Sequence, residues 1–319
     1  MATRSKPIRL DDRKFSRANI VKDWKKNKVK YLLLIPLIVL LVLFNYLPMG
    51  GIVMAFSDYS PKFGIFGSLI NRFVGLKHFR SFFDSIYFER LMRNTVLLNV
   101  LDLLVSFPLT IILALLLNEV KNKKFKSLVQ MISYLPYFIS MVVVGGIVVD
   151  FCKSTGLLGE LVGELTGKAR NLLGVKEYWR PIYIISGLWQ SLGFGTIIYL
   201  AALSGVDQEL YEAAELDGAG YMQRLWHITL PSISNTIIIM LILKIGGLMG
   251  SYPEKTILMA NSQIYETADV IGSYVYRKGL QDGNYSFATA INLFNSVINL
   301  ALLTIANKFS KKFSETSLF

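Results

Sequence analysis

Apolar residues are concentrated in six runs that polar and charged segments separate. The runs cover residues 31–57, 95–117, 128–149, 182–203, 232–259 and 287–306. Each is nearly free of charge and has the length, about 20 residues, that an α-helix needs to cross a bilayer. In the first run, Pro36, Pro48 and the Gly50-Gly51 pair predict a kinked helix. In the third run, Tyr134, Pro136 and Tyr137 predict a kink and a packing surface. The fifth run is predicted to end at about residue 259 or earlier, at Pro253, and its Gly246-Gly247 pair predicts close helix contact or local unwinding. The pattern predicts an all-α membrane protein with six transmembrane helices.

The distribution of basic residues predicts the orientation. Residues 1–30 form a basic tail directly before the first run, and lysine and arginine accumulate on the cytoplasmic side of membrane proteins. Both termini are therefore predicted to be cytoplasmic, together with residues 118–127 and 204–231, and residues 31–319 form the membrane domain. The tail contains eleven basic residues: Arg4, Lys6, Arg9, Arg13, Lys14, Arg17, Lys22, Lys25, Lys26, Lys28 and Lys30.

Composition narrows the functional classes. Of the 319 residues, 53% are hydrophobic and only 18% are charged, which is too few charges for a soluble domain of this length. The net charge of +12 reflects the tail rather than a nucleic-acid surface.

The single Cys152 excludes an intramolecular disulfide. His78 and His227 fall on opposite sides of the predicted membrane, so no zinc site is expected. No nucleophile–base pair or paired catalytic carboxylates occur in the runs, so catalysis by this chain is not expected.

The segment 204–231, called here the cytoplasmic loop, predicts a helix, a break and a second helix. Asp207 is suited to cap the first helix. Gly218 stands where a left-handed C-terminal cap is expected, a conformation that glycine adopts without steric cost. The second helix is predicted at about residues 221–227. Pro231 suits the first turn of the next membrane helix, where its missing N–H is not needed.

The cytoplasmic loop resembles the "EAA" signature of binding-protein-dependent ABC importer permeases. In that family the loop is a pair of coupling helices that docks into a cleft of the ATP-hydrolysing subunit. The resemblance implies the six-helix type I permease fold and assigns the ATPase-coupling role to this loop. The seven signature positions are Glu212, Ala213, Ala214, Gly218, Ile228, Leu230 and Pro231.

Other segments are similar to permeases for carbohydrate uptake, most clearly residues 265–277, which read YETADVIGSYVYR. That subgroup imports oligosaccharides released from polysaccharides, some of them containing uronic acids. The resemblance implies a bacterial cell-membrane complex of two permeases, two ATPase subunits and an extracytoplasmic solute-binding protein. A homodimer of permeases stays open beside a heterodimer.

The chain has no phosphate-binding Gly-x-x-x-x-Gly-Lys-Ser/Thr pattern. ATP and Mg²⁺ are therefore expected on the partner ATPase, and no cofactor is expected on this chain. Two rival hypotheses remain at this point. One is a permease for peptides, amino acids or ions, and the other is a membrane-embedded sensor or enzyme.

Polar residues inside the predicted helices are candidates for the substrate pathway, because charged and amide groups are costly in a bilayer. Asp102 and Lys244 could pair with each other or line the pathway. Amides suit sugar hydroxyls because each both donates and accepts hydrogen bonds, and three recur on one predicted helix face. Interhelical packing is the alternative for each candidate. The remaining candidates are Trp189, Gln190, Asn292, Asn295 and Asn299.

Overall fold

The computed structural model describes residues 17–250, 253–314 and 318, and this part of the chain is almost wholly helical. Its only β-structure is an isolated bridge between Ser57 and Phe73. Six helical stretches are long and apolar enough to cross a membrane, which confirms the predicted all-α, six-helix class. These spans are Lys26–Phe56, Phe88–Glu119, Met141–Thr166, Lys176–Ser204, Tyr221–Gly246 and Tyr285–Lys312.

The chain divides into two compact units, with the boundary between Val53 and Met54. In the first unit, the helix Arg17–Leu41 departs from helical geometry at Asn27. Residues 1–16 of the predicted basic tail lie outside the described residues, and residues 17–30 belong to this helix. The helix continues through Pro36. Beyond it, the backbone changes to a π-helix at Val42–Tyr46 and then to a 3-10 helix at Gly50–Phe56.

The third apolar run was predicted as one helix over residues 128–149 with a kink at Pro136, and the structure has a full break at that kink. The structure has one helix at Lys123–Tyr134 and a second at Met141–Cys152, joined by a 3-10 turn at Leu135–Phe138. Pro136 has no N–H for the helical ladder. Ser140 then starts a new helix, because its side chain accepts a hydrogen bond from the Val143 N–H.

The fifth helix was predicted to end at about residue 259 or earlier, at Pro253, but it ends at Gly246. A separate short helix, Pro253–Met259, follows. A Cβ atom at Gly246 would lie 2.6 Å from Cδ1 of Leu303, so the absence of a side chain lets the end of this helix approach the sixth span closely. Close contact and a helix end therefore coincide at the same glycine.

The segments predicted as extracytoplasmic loops contain several short helices. The helices are Gly64–Asn71, Lys77–Phe83, Leu157–Thr166, Leu172–Gly174 (3-10), Ser262–Ile264 (3-10), Tyr265–Ala268, Ile271–Tyr276 and the π-helical Arg277–Gln281.

Two helix pairs position the functional residues in the second unit. Phe88–Glu119 packs along Lys176–Ser204, and Leu230–Gly246 packs along Tyr285–Ser314. Gly193 permits a further close contact, since a Cβ atom there would lie 2.1 Å from the carbonyl oxygen of Ser133. Small residues of this kind allow membrane helices to pack closely where lipid supplies no hydrophobic driving force.

Candidate functional site

The first helix of the cytoplasmic loop, Gln208–Leu216, is capped at both ends as predicted. The Asp207 side chain accepts a hydrogen bond of 3.0 Å from the Glu209 N–H. Gly218 has a φ of 79°. Its N–H donates to the Glu215 carbonyl at 3.0 Å, and the next N–H, that of Ala219, donates to the Ala214 carbonyl at 2.8 Å. This pair of bonds is a Schellman cap, which turns the chain sharply at Gly218.

The second helix of the loop is continuous with the fifth span. Tyr221–Arg224 is followed by a π-helical turn, Leu225–Thr229, and then by Leu230–Gly246. Pro231 lies in the first turn of this last helix, as predicted. The prediction of a separate helix ending near residue 227 is corrected, because π-helical hydrogen bonds carry the helix across that point. A movement of the loop would therefore reach the membrane directly.

Two side-chain contacts join the helices of the loop. The hydroxyl groups of Tyr211 and Thr229 are 2.9 Å apart, and Thr229 is buried. Glu215 and Arg224 form an ion pair across the turn. Neither contact is predictable from the sequence, because the partners are 18 and 9 residues apart and neither spacing belongs to a single helix.

The seven signature positions divide into two groups. Ala214, Ile228 and Leu230 are half-buried, and Ile228 packs against a core cluster that includes Tyr199 and Ile233. The other signature residues lie on the surface beside the large exposed side chains of Leu216, Met222 and Trp226. These exposed signature residues are Glu212, Ala213, Gly218 and Pro231.

Asp102 and Lys244 line one cavity of about 330 Å³ between the second and fifth spans. Asp102 also accepts a hydrogen bond of 2.9 Å from Ser106. Among the described residues, Asp102 and Lys244 form no ion pair with each other. The cavity wall also includes Asn99, Gly247 and, on its apolar side, Leu103, Met240, Leu243 and Leu248. Two candidates from distant parts of the sequence therefore meet at one polar cavity.

The three amides of the sixth span lie within one continuous helix, Tyr285–Ser314, but their contacts differ. The Asn295 side chain donates to the Met249 carbonyl at 3.0 Å, and the Asn299 side chain accepts from the Met249 N–H at 2.9 Å. These two amides stabilise the chain just after the fifth helix ends. Asn292 is exposed on the single chain. Asn295 and Asn299 thus contact the chain after the fifth helix, whereas Asn292 makes no such contact among the described residues.

The two candidates of the fourth span also differ. Trp189 is exposed. The Gln190 side chain donates to the carbonyl of Ile139 at 3.1 Å, at the break in the third apolar run. This bond satisfies a backbone acceptor that the interrupted helix leaves free. The structure therefore gives Gln190 a packing contact, whereas Trp189 presents its ring to the outside of the chain.

Lys255 is a buried cation that the sequence analysis did not single out as a candidate. Its side chain is 2% exposed. Its Nζ donates to the Tyr183 carbonyl at 2.5 Å and lies 4.2 Å from the centre of the Tyr183 ring. A lysine in an apolar stretch is the only sequence signal for such a site. Among the described residues, no group of three or more His, Cys, Asp or Glu side chains is arranged to hold a metal ion.

Comparison with known proteins places this geometry in context. Residues 92–315 match the family model described as binding-protein-dependent transport system inner membrane component. Protein LplB of Bacillus subtilis (strain 168) is 45% identical over 296 residues, which cover 92% of each chain. The polygalacturonan/rhamnogalacturonan transport system permease protein YteP of the same organism is 43% identical and covers 92% of this chain and 91% of its own length.

A solved structure supports the same assignment. The chain is similar to one in a bacterial alginate ABC transporter in complex with an alginate pentasaccharide-bound periplasmic protein. The sequence identity is 39% and the TM-score is 0.83, and the match covers 94% of this chain and 100% of that one. The likeness therefore extends over almost the whole chain.

Proposed function

The chain belongs to the family of binding-protein-dependent transport system inner membrane components, and we propose that it is the permease subunit of an ABC importer for oligosaccharides that include uronic acids. It is a multi-pass protein of the bacterial inner membrane. One observation carries the proposal. The cytoplasmic loop has all seven signature residues, its first helix is capped at both ends, and its second helix continues into a span beside a polar cavity. The names of its relatives, which concern polygalacturonan, rhamnogalacturonan and alginate, support the choice of cargo.

The exposed part of the cytoplasmic loop is the proposed contact with an ATPase subunit. Glu212, Ala213, Gly218 and Pro231 are available on the surface, and the apolar side chains beside them suit burial in a cleft. ATP and Mg²⁺ would be bound by that partner. The two contacts between the loop helices make the loop move as one body. Its movement then passes into the fifth span, because the helix is continuous from Tyr221 to Gly246.

The cavity beside the fifth span is the proposed passage for the sugar. Asp102 and Asn99 accept hydrogen bonds from hydroxyl groups, and Lys244 suits a carboxylate. Exposed Asn292 and Trp189 extend the pathway, since an amide binds hydroxyl groups and an indole ring packs on the face of a sugar. Asn295, Asn299 and Gln190 act instead as supports, through the backbone contacts that they make.

The proposed complex contains a second permease, two ATPase subunits and an extracytoplasmic binding protein. The absence of a phosphate-binding pattern in this sequence requires a separate source of ATP hydrolysis. The periplasmic protein in the alginate complex supports the last of these partners. A second permease would cover the exposed polar side chains of the sixth span, which are costly to leave in lipid.

Purification of the tagged chain in a mild detergent, with mass spectrometry of the partners, tests the proposal. We expect a second permease and an ATPase, with hydrolysis stimulated by a sugar-loaded binding protein. The variant Ala213→Trp should lose the ATPase and keep the second permease, because Ala213 is exposed in the loop. Ala169→Trp, the same change at an exposed position of the outer segment, is the control. A chain that purifies alone without ATPase activity would overturn the proposal.

A further inference from the structure

The segment between the first two spans contains a short helix, Gly64–Asn71, that exposes its apolar face. Phe66 and Ile70 are 64% and 80% exposed, and Phe63, in the turn before the helix, is 44% exposed. These three positions recur at spacings of three and four residues, so they share one helix face. On the opposite face, Ser68 is fully buried. We call Gly64–Asn71 the outer helix.

Polar contacts hold the buried face of the outer helix against the chain. The Ser68 hydroxyl donates to the Gly64 carbonyl at 2.6 Å and accepts from the Ser60 N–H at 3.0 Å. A surface helix in water turns its large apolar side chains inward and its polar side chains outward. The outer helix does the reverse, because a serine is buried while phenylalanine and isoleucine are exposed. An exposed apolar face of this kind marks a surface that a protein or a membrane covers.

The apolar surface continues past the outer helix. Phe73 and Leu76 are exposed in the chain that follows it. Phe73 also forms the isolated bridge to Ser57, which fixes its backbone. Five large apolar side chains are therefore exposed between residues 63 and 76, which differs from the single scattered apolar residues of an ordinary protein surface.

The outer helix belongs to a loop that is attached to the ends of two membrane spans. The Val74 N–H donates to the carbonyl of Phe56, the last residue of the first span, at 2.9 Å. The Tyr59 N–H donates to the hydroxyl of Ser286, in the first turn of the sixth span, at 2.8 Å. The outer helix itself is only about 12 Å long at 1.5 Å per residue. Its apolar face therefore lies within reach of the predicted outer surface of the membrane.

The charge of this segment fits a lipid surface. Residues 59–83 contain no aspartate or glutamate. Lys62 and Arg72 lie before and after the outer helix, and both are exposed. Nζ of Lys62 lies 5.8 Å from the centre of the Phe63 ring. Basic residues beside a face of phenylalanine and aliphatic side chains are typical of helices that lie in the membrane interface, where anionic headgroups attract the positive charges.

We infer that the outer helix lies in the outer interface of the bilayer, with Phe63, Phe66 and Ile70 between the lipid headgroups and the acyl chains. The three apolar side chains then leave water, while Lys62 and Arg72 stay beside the headgroup phosphates. The lipid would thus hold this loop at a fixed depth beside the start of the sixth span. The inference goes beyond the proposed function, because it does not depend on the cargo.

The test uses vesicles of phosphatidylglycerol and phosphatidylcholine that contain the tagged chain with the partners that purify with it, without the binding protein. Ile70→Cys and Asn71→Cys place a thiol at two neighbouring exposed residues, on and beside the apolar face. Cys152 is buried, so the wild type gives the background. A band shift of the tagged chain measures modification by a water-soluble maleimide. Ile70→Cys should react about tenfold more slowly than Asn71→Cys, since a rise of about one unit in the thiol pKa in apolar surroundings lowers the thiolate fraction about tenfold.

A second measurement separates a lipid cover from a protein cover. Bimane attached at Ile70→Cys should be quenched by phosphatidylcholine that carries a nitroxide near its headgroup, and only weakly by iodide in the water. Bimane at Asn71→Cys should show the reverse preference. Equal reaction rates and equal quenching by iodide would show that the helix lies in water, free for a binding protein, and would overturn the inference. Protection of Ile70→Cys from both quenchers would identify a protein cover, such as the second permease, and would overturn it as well.

Discussion

The hydroxyl groups of Tyr211 and Thr229 lie 2.9 Å apart and join the two halves of the cytoplasmic loop. Tyr211 belongs to the capped first helix, and Thr229 is the last residue of the π-helical turn that leads into the fifth span. Thr229 is buried, so water competes weakly for this bond. Together with the Glu215–Arg224 ion pair, it connects the surface of the loop to the membrane helix.

Removing the Tyr211 hydroxyl should uncouple ATP hydrolysis from uptake. A hydrogen bond of this kind contributes about 1 kcal/mol, which corresponds to about a fivefold change in an equilibrium. In proteoliposomes, Tyr211→Phe should keep most of the stimulated ATPase activity and transport less sugar per ATP hydrolysed. Tyr276→Phe, at an exposed tyrosine of the outer segment, should leave that ratio unchanged. An unaltered ratio in Tyr211→Phe would remove this bond from the coupling route.

Gly218 should tolerate asparagine better than valine. A Cβ atom at Gly218 meets nothing within 4 Å, so the constraint is the φ of 79° and not space. A left-handed conformation costs an ordinary residue about 1–2 kcal/mol, and asparagine adopts it more readily than a β-branched residue. Gly218→Val should insert into the membrane normally and lose sugar uptake, while Gly218→Asn should retain most of it. Equal uptake by the two variants and wild type would count against a coupling role for this turn.

Asn292 and Asn299 should respond differently to replacement by leucine. Asn299→Leu leaves the Met249 N–H without its acceptor, which costs about 1–3 kcal/mol and should lower the thermal unfolding midpoint of the purified chain. Asn292→Leu removes an exposed amide and should leave the midpoint near that of wild type while changing the KM for sugar. The opposite assignment of effects would place Asn299 on the pathway and make Asn292 the packing residue.

Replacing Gly193 or Gly146 by alanine tests the close helix contact at Gly193. Gly193→Ala would put its Cβ 2.1 Å from the Ser133 carbonyl oxygen, so the helices must separate and the protein should unfold at a lower temperature. Gly146→Ala meets nothing within 4 Å. It should be neutral or slightly stabilising, since alanine favours helix over glycine by about 1 kcal/mol. Matching unfolding temperatures for the two variants would contradict the packing at Gly193.

The sequence by itself determined the features that depend on local chemistry or on the solvent. Six apolar runs imply six helices, because an apolar helix of that length is stable only across a bilayer. Asp207 and Gly218 were correctly predicted as caps, since a capping bond and a left-handed φ involve only neighbouring residues. The cytoplasmic loop was recognisable from the sequence for the same reason, because its signature is a local pattern of residues.

Only the tertiary structure decided which side chains meet. The sequence marked Pro136 and Gly246-Gly247 as points of irregularity, but it could not show that the helices end there, because contacts with other helices compensate those breaks. Helical spacing placed Asn295 and Asn299 with Asn292, but the partner of both is Met249, which lies 46 and 50 residues away. The Asp102–Lys244 cavity likewise joins distant segments. Its geometry is set by helix packing, which no local pattern in the sequence encodes.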